Sequence, residues 1–485
     1  MTTKQQLASI YTLSALFIGA NLFFVFDNIY YGLLLPLLGF IVLVGLYRLD
    51  IIFYLIAVTT PIALNTESLD MSFGIALPSE PLMAGVLLIF ILRHLQRNSF
   101  DWRIVKHPIT IAIAFNLSWL FLTSITSEMK VVSFKMFTAR LWFVVSCYLL
   151  AVEVFKDPKN IQRFVWLHTI PLCLVIGYTM FRLVSYGVDK QHAHWVMDPF
   201  YKDHAIYGAA IAMFMPFLVG FFWSKSRSNT FRLVAFSVLA ILIIGQIFSY
   251  SRAAWVSLVG AAGVFLVMKL RIKFRYLAVV GVIGAVFGFM QLEQIIIDLQ
   301  RNKIDSGTDF AEHVQSISNI ATDDSNLERL NRWDCALSMF LEQPLLGHGP
   351  GTYAFLYAPY QRPENITLIS TNFGDLGNAH SEFLGPLAEQ GVLGFISIVA
   401  LIAVVIYTGV RLYFRLKDTQ LKMLVMSALL GLITYYIHGI LNNYLDQDKA
   451  AMPFFALTAV IVAIDVYHRE EEDKEGPEVQ RAQEN

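Results

Sequence analysis

Charged residues are scarce in this chain. Asp, Glu, Lys and Arg make up 15% of its 485 residues, against about 25% in an average soluble protein. This shortage excludes a globule of this size with a fully hydrated surface. The 36 Lys and Arg and 37 Asp and Glu nearly cancel, so no basic excess indicates a nucleic-acid partner. Only three cysteines are present, which excludes a disulfide framework.

Long apolar runs take the place of the missing charges. Apolar residues form 56% of the chain, and many lie in runs of about 20 residues, the length that crosses a bilayer as a helix. We therefore predict an all-α polytopic membrane protein with about 14 transmembrane helices, and at least 12. The first run is interpreted as a retained helix, because no small-residue cleavage site follows it. The runs lie near residues 7–27, 29–47, 50–64, 79–95, 108–125, 139–155, 163–186, 203–223, 231–249, 253–269, 276–292, 384–413, 420–441 and 450–467.

The distribution of Lys and Arg predicts the orientation. If the N-terminus is cytoplasmic, 23 of the 36 basic residues fall in cytoplasmic loops, as expected for such loops. We therefore expect both termini inside and one large, partly helical loop outside. The predicted domains are an N-terminal bundle of about eleven spans, the external loop, the C-terminal helices and an acidic, disordered cytoplasmic tail. Their ranges are 1–292, 293–379, 380–467 and 468–485.

Several basic residues nevertheless map to the outer side, where orientation rules predict few. Arg252 lies in a very short connection, and a charge embedded at such a site is a functional candidate. Arginine forks match phosphate oxygens in pairs, so these residues predict a phosphate-binding patch. The alternative is that they snorkel to lipid headgroups. Lys135 and Arg140 are expected to flank the start of the sixth span. The candidates are Lys130, Lys135, Arg140, Arg252, Arg329 and Arg332.

Two outer histidines stand at predicted helix starts. His204 opens the eighth run, and His380 closes the large loop before the next span. A neutral imidazole there can accept a proton from a hydroxyl near pH 7. The alternative for His380 is a helix-start residue bonded to the backbone. The pair His192 and His194 is weak evidence for a metal, because no further ligands are placed with it.

The order of motifs resembles the O-antigen ligase and polymerase superfamily of bacterial inner membranes. A short connection around Arg252 is followed by two spans and a large external loop. The resemblance covers about residues 203–400. Its motifs are Ser251-Arg252-Ala253-Ala254-Trp255, Arg329-Leu330-Asn331-Arg332-Trp333, Pro344-Leu345-Leu346-Gly347-His348-Gly349, Asn378-Ala379-His380 and Glu389-Gln390-Gly391.

This resemblance implies a glycosyltransferase of the GT-C type that works without a metal or other cofactor. Such enzymes take a glycan from undecaprenyl diphosphate at the periplasmic face. The family's arginine in the short connection corresponds to Arg252 and its loop-end histidine to His380. Its loop arginine corresponds to Arg329 or Arg332, and the choice stays open. Ser381 stands where the superfamily frequently has asparagine.

The residue chemistry agrees with that implication. Breaking a sugar–phosphate bond places negative charge on the diphosphate, which preorganised cations stabilise. We expect His380 to act as general base, together with Arg252 as a catalytic residue. The predicted diphosphate-binding residues are Arg252, Arg329, Arg332, Lys130, Lys135, Arg140 and His204. Direct displacement would invert the anomeric carbon, since nothing singles out a carboxylate nucleophile.

Four functions remain open at this point. The preferred one is an O-antigen ligase, which passes the lipid-linked glycan to a sugar hydroxyl of lipid A–core. A polymerase would pass it to another lipid-linked repeat unit, and a protein O-oligosaccharyltransferase to a protein hydroxyl. A transporter would carry out no covalent chemistry. Transporters tend to place charges near the membrane midplane, whereas the unusual charges here map to the outer face.

Overall fold

The protein is helical throughout the part of the chain that is described. The computed structural model describes residues 3–26, 35–66, 74–97, 101–273, 324–363 and 377–468, with a few isolated positions besides. Within these ranges the only sheet is one antiparallel pair of two-residue strands, β1 (Leu64–Asn65) and β2 (Ala76–Leu77). The predicted all-α class is confirmed.

The chain forms two compact units, residues 1–52 and 53–485. The first unit contains α1 (Thr3–Phe26), α2 (Leu35–Tyr47) and the start of α3 (Leu49–Ile62), which continues into the second. The second unit carries every residue that the sequence indicated for function.

The second unit contains the remaining described helices. In chain order they are α4 (Ser79–Arg97), α5 (Trp102–Val105), α6 (Pro108–Thr126), α7 (Lys130–Val144), α8 (Leu150–Val154), α9 (Pro158–Tyr186), α10 (Lys190–Ala193), α11 (His204–Trp223), α12 (Asn229–Ile247), α13 (Arg252–Lys269), α14 (Asp324–Glu342), α15 (Tyr353–Leu356), α16 (Leu384–Arg415), α17 (Thr419–Leu441) and α18 (Asp448–Tyr467). Asp203 caps α11 by accepting hydrogen bonds from the N–H groups of Ala205 and Ile206.

Nine helical segments among the described residues are long and apolar enough to cross a membrane. They are α6, the continuous segment α7–α8, α9, α11, α12, α13, α16, α17 and α18, and each coincides with a predicted run. Four more predicted runs fall on α1 to α4. The run at 276–292 lies almost entirely outside the described residues. The chain is a multi-pass membrane protein.

The sixth span begins earlier than predicted. Its apolar run was placed at 139–155, but α7 begins at Lys130 and continues through a π-helical turn, Val145–Leu149, into α8. The expectation that Lys135 and Arg140 flank a helix start was therefore wrong, and both lie on the helix. Their charges interrupt the apolar run without interrupting the helix, because Lys and Arg are good helix formers.

The helix connections of the second unit gather at two ends. We call the first the site end. It consists of residues 64–66, 74–79, 126–133, 187–203, 248–252, 343–353, 377–383 and 442–448. Contacts across it include Ser79 Oγ to Asp448 Oδ2 (2.5 Å), Glu128 N to His348 O (3.1 Å) and Tyr444 OH to Asp203 Oδ1 (3.2 Å).

The opposite end consists of residues 101–108, 154–162, 223–232, 415–420 and 465–468. Its contacts include His107 Nε2 to Asp465 Oδ2 (3.1 Å), His468 Nε2 to Lys156 O (2.9 Å) and Arg227 Nη2 to Gln162 Oε1 (2.7 Å). Within these described ranges, loops predicted on one side of the membrane are found together, and so are loops predicted on the other.

A kink in α16 is built around glycine. Gly391 has φ 67° and ψ −166°, and the turn 344–351 packs directly on it. A Cβ at Gly391 would lie 2.2 Å from the Leu345 carbonyl oxygen, and one at Gly347 2.3 Å from the Glu389 carbonyl carbon. Only glycine allows such close backbone approach. Two of the sequence motifs therefore form one joint that anchors the 344–351 turn to α16.

Candidate functional site

Arg252 is the first residue of α13, directly after a sharp connection from α12. Tyr250 in this connection has φ 49°, and the Ser251 hydroxyl caps α13 by accepting the Ala254 N–H (3.4 Å). Gly208 in α11 lies against the connection so closely that a Cβ there would be 2.9 Å from Ser251 Cβ. The connection that carries the half-buried Arg252 is therefore packed against the first turns of α11.

Arg332 is held within a buried ion pair on α14. Its Nε donates to Glu328 Oε1 at 2.6 Å, and the exposed fractions of the two residues are 3% and 4%. The guanidinium carbon lies 3.9 Å from the centre of the Tyr357 ring, a cation–π contact. The second oxygen of Glu328 accepts the hydroxyl of Ser370. Arg332 is therefore fixed in one orientation.

Arg329 occupies a different environment on the same helix. It is half-buried, and its Nε donates to the carbonyl of Leu441 at the end of α17 (3.2 Å). This contact ties α14 to the connection between α17 and α18. The two arginines are three residues apart, and residues at this spacing lie on the same side of a helix.

His380 lies beside both arginines. Its φ is 47°, which is uncommon for a residue with a side chain. Its N–H donates to Asn378 Oδ1 (3.1 Å), and its carbonyl accepts the indole N–H of Trp333 (3.3 Å). Burial, and then the charges of Arg329 and Arg332, lower the pKa of His380 to about 3. The imidazole is therefore neutral at pH 7.

A polar chain continues from His380 towards α11, and the sequence did not indicate it. The Asn442 side chain lies beside His380, and its amide nitrogen is 3.2 Å from His438 Nε2. Tyr444 OH donates to Asp203 Oδ1 (3.2 Å) and lies 3.4 Å from Asn442 Oδ1. The sequence feature that could have indicated Asn442 and Tyr444 is the polar stretch 441–448 between two spans.

This chain places Arg252 and His380 at the same end of the unit. The Arg252 connection packs on α11, whose cap Asp203 binds Tyr444, and Tyr444 contacts the Asn442 side chain beside His380. Arg329, Arg332 and His380 therefore form one cluster, and the connection that carries Arg252 lies at the same end of the unit.

The other predicted site residues lie elsewhere, on helices that start at or next to the site end. Lys130 and Lys135 are exposed on α7. The His204 ring stacks on that of His194, with ring centres 4.2 Å apart. Arg140 is buried, and its Nη2 lies 2.9 Å from Asp446 Oδ1. The diphosphate-binding role of these four residues stays a prediction.

A second polar feature adjoins the His380 segment. A cavity of about 100 Å³, which we call the acidic cavity, is lined by carboxyl, amide and apolar side chains. Its polar lining residues are Asn116, Arg140, Asn378, Glu382, Glu389, Gln390, Asn443 and Asp446.

Glu382 organises the wall of the acidic cavity. Its Oε1 accepts the Tyr435 hydroxyl (2.5 Å) and the N–H groups of Tyr444 (2.6 Å) and Leu445 (2.9 Å). Burial raises the pKa of Glu382. Through these hydrogen bonds the Glu382 carboxyl group fixes the connection that carries Asn442. It thereby helps to hold Asn442 next to His380.

The described residues contain no group of three or more His, Cys, Asp or Glu side chains arranged to hold a metal ion. The positive charge of the cluster comes from guanidinium groups. An arrangement of this kind is suited to an anion with a neutral imidazole beside it.

Comparison with known protein families gives a match over part of the chain. Residues 236–399 match the family described as O-antigen ligase. The matched segment contains Arg252, Arg329, Arg332 and His380, whereas Lys130, Lys135, Arg140 and His204 lie outside it. Over these residues the match confirms the resemblance inferred from the motifs.

An uncharacterized protein of Haemophilus influenzae is also similar. It is 20% identical over 128 residues, which are 26% of this chain and 31% of that protein. The similarity thus spans about a third of the relative's length and carries no assignment of activity.

Proposed function

We propose that this protein is a metal-independent O-antigen ligase. It transfers a glycan from undecaprenyl diphosphate to a sugar hydroxyl of lipid A–core. The family match and the cluster around His380 support this proposal. In it the protein lies in the bacterial inner membrane among its lipids, with both termini cytoplasmic. The site end faces the periplasm, because the Lys-rich and Arg-rich connections lie at the opposite end.

The observation that carries the proposal is a neutral imidazole beside two guanidinium groups. Burial and the two arginines hold the pKa of His380 at about 3, so the ring is available to accept a proton at neutral pH. An imidazole with such a low pKa is a weak base on its own. A bound diphosphate would offset the charges of Arg329 and Arg332 and so raise that pKa. The base is thereby strengthened only when the donor is in place.

The arginines have separate tasks in this proposal. Arg252 and Arg329 bind the diphosphate and stabilise the charge that develops on it as the sugar departs. Arg332 is already bound to Glu328 and acts as a positioning residue with a favourable charge. Without a metal ion, the guanidinium groups supply the electrostatic stabilisation.

The reaction is a single displacement. The acceptor hydroxyl oxygen forms a bond to the anomeric carbon, and its proton passes to the His380 imidazole. The bond from the anomeric carbon to the phosphate oxygen breaks, and its electron pair remains on undecaprenyl diphosphate. The configuration at the anomeric carbon is inverted. Glu328 is engaged by Arg332 and Glu382 by three donors, so neither is free to act as the nucleophile of a double displacement.

The test is a transfer assay with purified protein in lipid nanodiscs. We expect lipid-linked O-antigen and lipid A–core to give a covalent product without ATP or added metal. His380→Ala and Arg329→Ala should lower the rate. His468→Ala and Arg227→Ala, matched changes at the opposite end, should not. A product rate for His380→Ala equal to that of the wild type would remove the proposed base.

The same assay separates the alternative functions. Elongated donor without capped lipid A–core would indicate a polymerase. Glycan attached to added periplasmic protein would indicate a protein oligosaccharyltransferase. Passage of the donor across the membrane with no covalent product would indicate a transporter.

A further inference from the structure

We infer that a cavity at the opposite end binds the headgroup of an anionic phospholipid. The cavity, which we call the basic cavity, has a volume of about 190 Å³ and lies where α6 begins and where α16 and α18 end. The start of α6 contributes His107 and Pro108 to its lining, and the end of α18 contributes Asp465. None of these residues belongs to the cluster around His380, so the inference goes beyond the proposed transfer reaction.

One face of α16 forms the rest of the lining. Residues three and four apart lie on the same side of a helix, and this face extends over about 16 Å at 1.5 Å per residue. Its start is mainly apolar, and its last turns carry two guanidinium groups. An apolar floor with a cationic mouth matches a phospholipid, in which acyl chains are joined to a phosphate group. The face consists of Val404, Tyr407, Thr408, Arg411, Leu412 and Arg415.

The charged groups that line the basic cavity leave one positive charge in excess. His107 Nδ1 accepts the Ile109 N–H (3.2 Å), so the proton of the neutral ring is on Nε2, which donates to Asp465 Oδ2 (3.1 Å). The two guanidinium groups of Arg411 and Arg415 therefore face one carboxylate. A phosphodiester group carries one negative charge and would balance this excess.

The two arginines are available to a ligand. The predicted orientation alone accounts for basic side chains at this end, but these two share one helix face and line a cavity. Within the described part of the chain, neither Arg411 nor Arg415 forms a hydrogen bond or an ion pair. Guanidinium groups bind phosphate oxygens in pairs, and basic pockets between membrane helices bind anionic lipid headgroups. The basic cavity therefore fits an anionic phospholipid of the leaflet at that end.

The first test removes the positive charge of the basic cavity. Protein in detergent is titrated with phosphatidylglycerol, and bound lipid is counted by native mass spectrometry. Arg411→Gln combined with Arg415→Gln should weaken binding by about tenfold or more, the usual effect of losing charge-assisted hydrogen bonds. Lys159→Gln combined with Lys225→Gln, which removes two exposed cations at the same end, should bind like the wild type. Equal losses in the two double variants, or no binding by the wild type, would overturn the inference.

The second test fills the apolar part of the cavity. Val404→Trp adds a large side chain to the lining and leaves every charge unchanged. It should weaken the binding of phosphatidylglycerol by about tenfold, because the acyl chain loses apolar contact. Val399→Trp, at a position on the same helix that is 39% exposed, is the matched control and should not weaken it. Unchanged binding by Val404→Trp would place the lipid elsewhere and contradict the inference.

Competition identifies the chemistry of the ligand. Phosphatidylcholine, whose headgroup has no net charge, should bind about tenfold more weakly than phosphatidylglycerol. Inorganic phosphate should displace the lipid only at about a hundredfold higher concentration, because it gains nothing from the apolar floor. Equal binding of the two lipids, or displacement by phosphate at the concentration of the lipid, would refute an anionic phospholipid site.

The acidic segment 470–475 is the other occupant that the experiment can detect. Replacing Glu470, Glu471 and Glu472 by Gln removes three of its negative charges. We expect this triple variant to bind phosphatidylglycerol with the affinity of the wild type. Binding that is about tenfold tighter would show that the segment competes for the basic cavity and would overturn the inference. All of these measurements are made without donor or acceptor, so their outcome is independent of the proposed ligase reaction.

Discussion

Each end of the second unit contains a buried histidine, and the two histidines have neighbours of opposite charge. At the opposite end His107 lies 3.1 Å from the Asp465 carboxylate, and this contact joins α6 to α18. At the site end His380 lies beside Arg329 and Arg332, whose charges and the burial of the ring keep it neutral. An imidazole beside a carboxylate links two helices. An imidazole beside two guanidinium groups is suited to an incoming anion.

The largest effect is expected from the histidines themselves. His380→Ala should lower the transfer rate by about 10²–10⁴-fold, the range for loss of a general base. His107→Ala should leave the rate near that of the wild type, although it removes a helix contact. Rates in nanodiscs, normalised to folded protein, decide this comparison. A loss of equal size in both variants would mean that the effect at His380 is structural.

The next effect distinguishes arginines at the two ends. Arg252→Ala and Arg329→Ala should each reduce kcat by about 10²–10³-fold, as expected when a group that stabilises developing charge is removed. Arg227→Ala, which removes a hydrogen bond to Gln162 at the opposite end, should not reduce it. Arg329→Lys should recover only part of the rate, because an ammonium group cannot bind phosphate in the bidentate manner of arginine.

Within the site end, Arg332 should differ from Arg329 in what it stabilises. Arg332→Met leaves Glu328 buried without its partner, which costs about 3–5 kcal/mol of unfolding free energy. The double variant Glu328→Gln with Arg332→Met should recover most of that loss. Thermal unfolding in detergent measures both, with Arg329→Met as the control of smaller effect. Additive losses in the double variant would contradict a coupled pair.

Disrupting the joint between the 344–351 turn and α16 should cause a smaller loss of stability. Gly391→Ala must hold a side chain at φ 67° and place a Cβ 2.2 Å from the Leu345 carbonyl oxygen. We expect a loss of about 2 kcal/mol or more. Gly177→Ala, with nothing within 4 Å of its Cβ, is the matched control. An unfolding temperature for Gly391→Ala equal to that of the control would show that the kink relaxes freely.

The smallest effect concerns pH. With the pKa of His380 at about 3, kcat/KM, which reports the free enzyme, should stay level between pH 7 and 5. In kcat, the acid limb should lie at higher pH, because bound diphosphate raises the pKa. The unfolded chain binds a proton near pH 6.5, so the contribution of His380 to stability is full above that pH and falls as the pH drops towards 3. The unfolding temperatures of wild type and His380→Gln should therefore converge on acidification.

Much of this protein follows from the sequence alone, because a bilayer imposes a simple rule. A helix in a bilayer must form its backbone hydrogen bonds internally, within apolar surroundings. Spans such as 204–223 and 448–467 can therefore be predicted from composition. The succession of such runs likewise predicted two groups of connections, whereas the orientation inferred from Lys and Arg stays a prediction. The order of motifs around Arg252 and His380 was sufficient to indicate the family.

Only the tertiary structure decided which contacts each polar residue of the site makes. Arg329 and Arg332 are equivalent in the sequence, yet only folding brings Glu328, Tyr357 and the 377–383 segment around one of them. Asn442, Tyr444 and Glu382 were missed because each acts through partners from distant parts of the chain. Arg140 carried the same charge as the other outer cations, but its helix points it at Asp446 and the acidic cavity. Local composition determines where a chain crosses a membrane, whereas contacts between remote connections determine the environment of each charge.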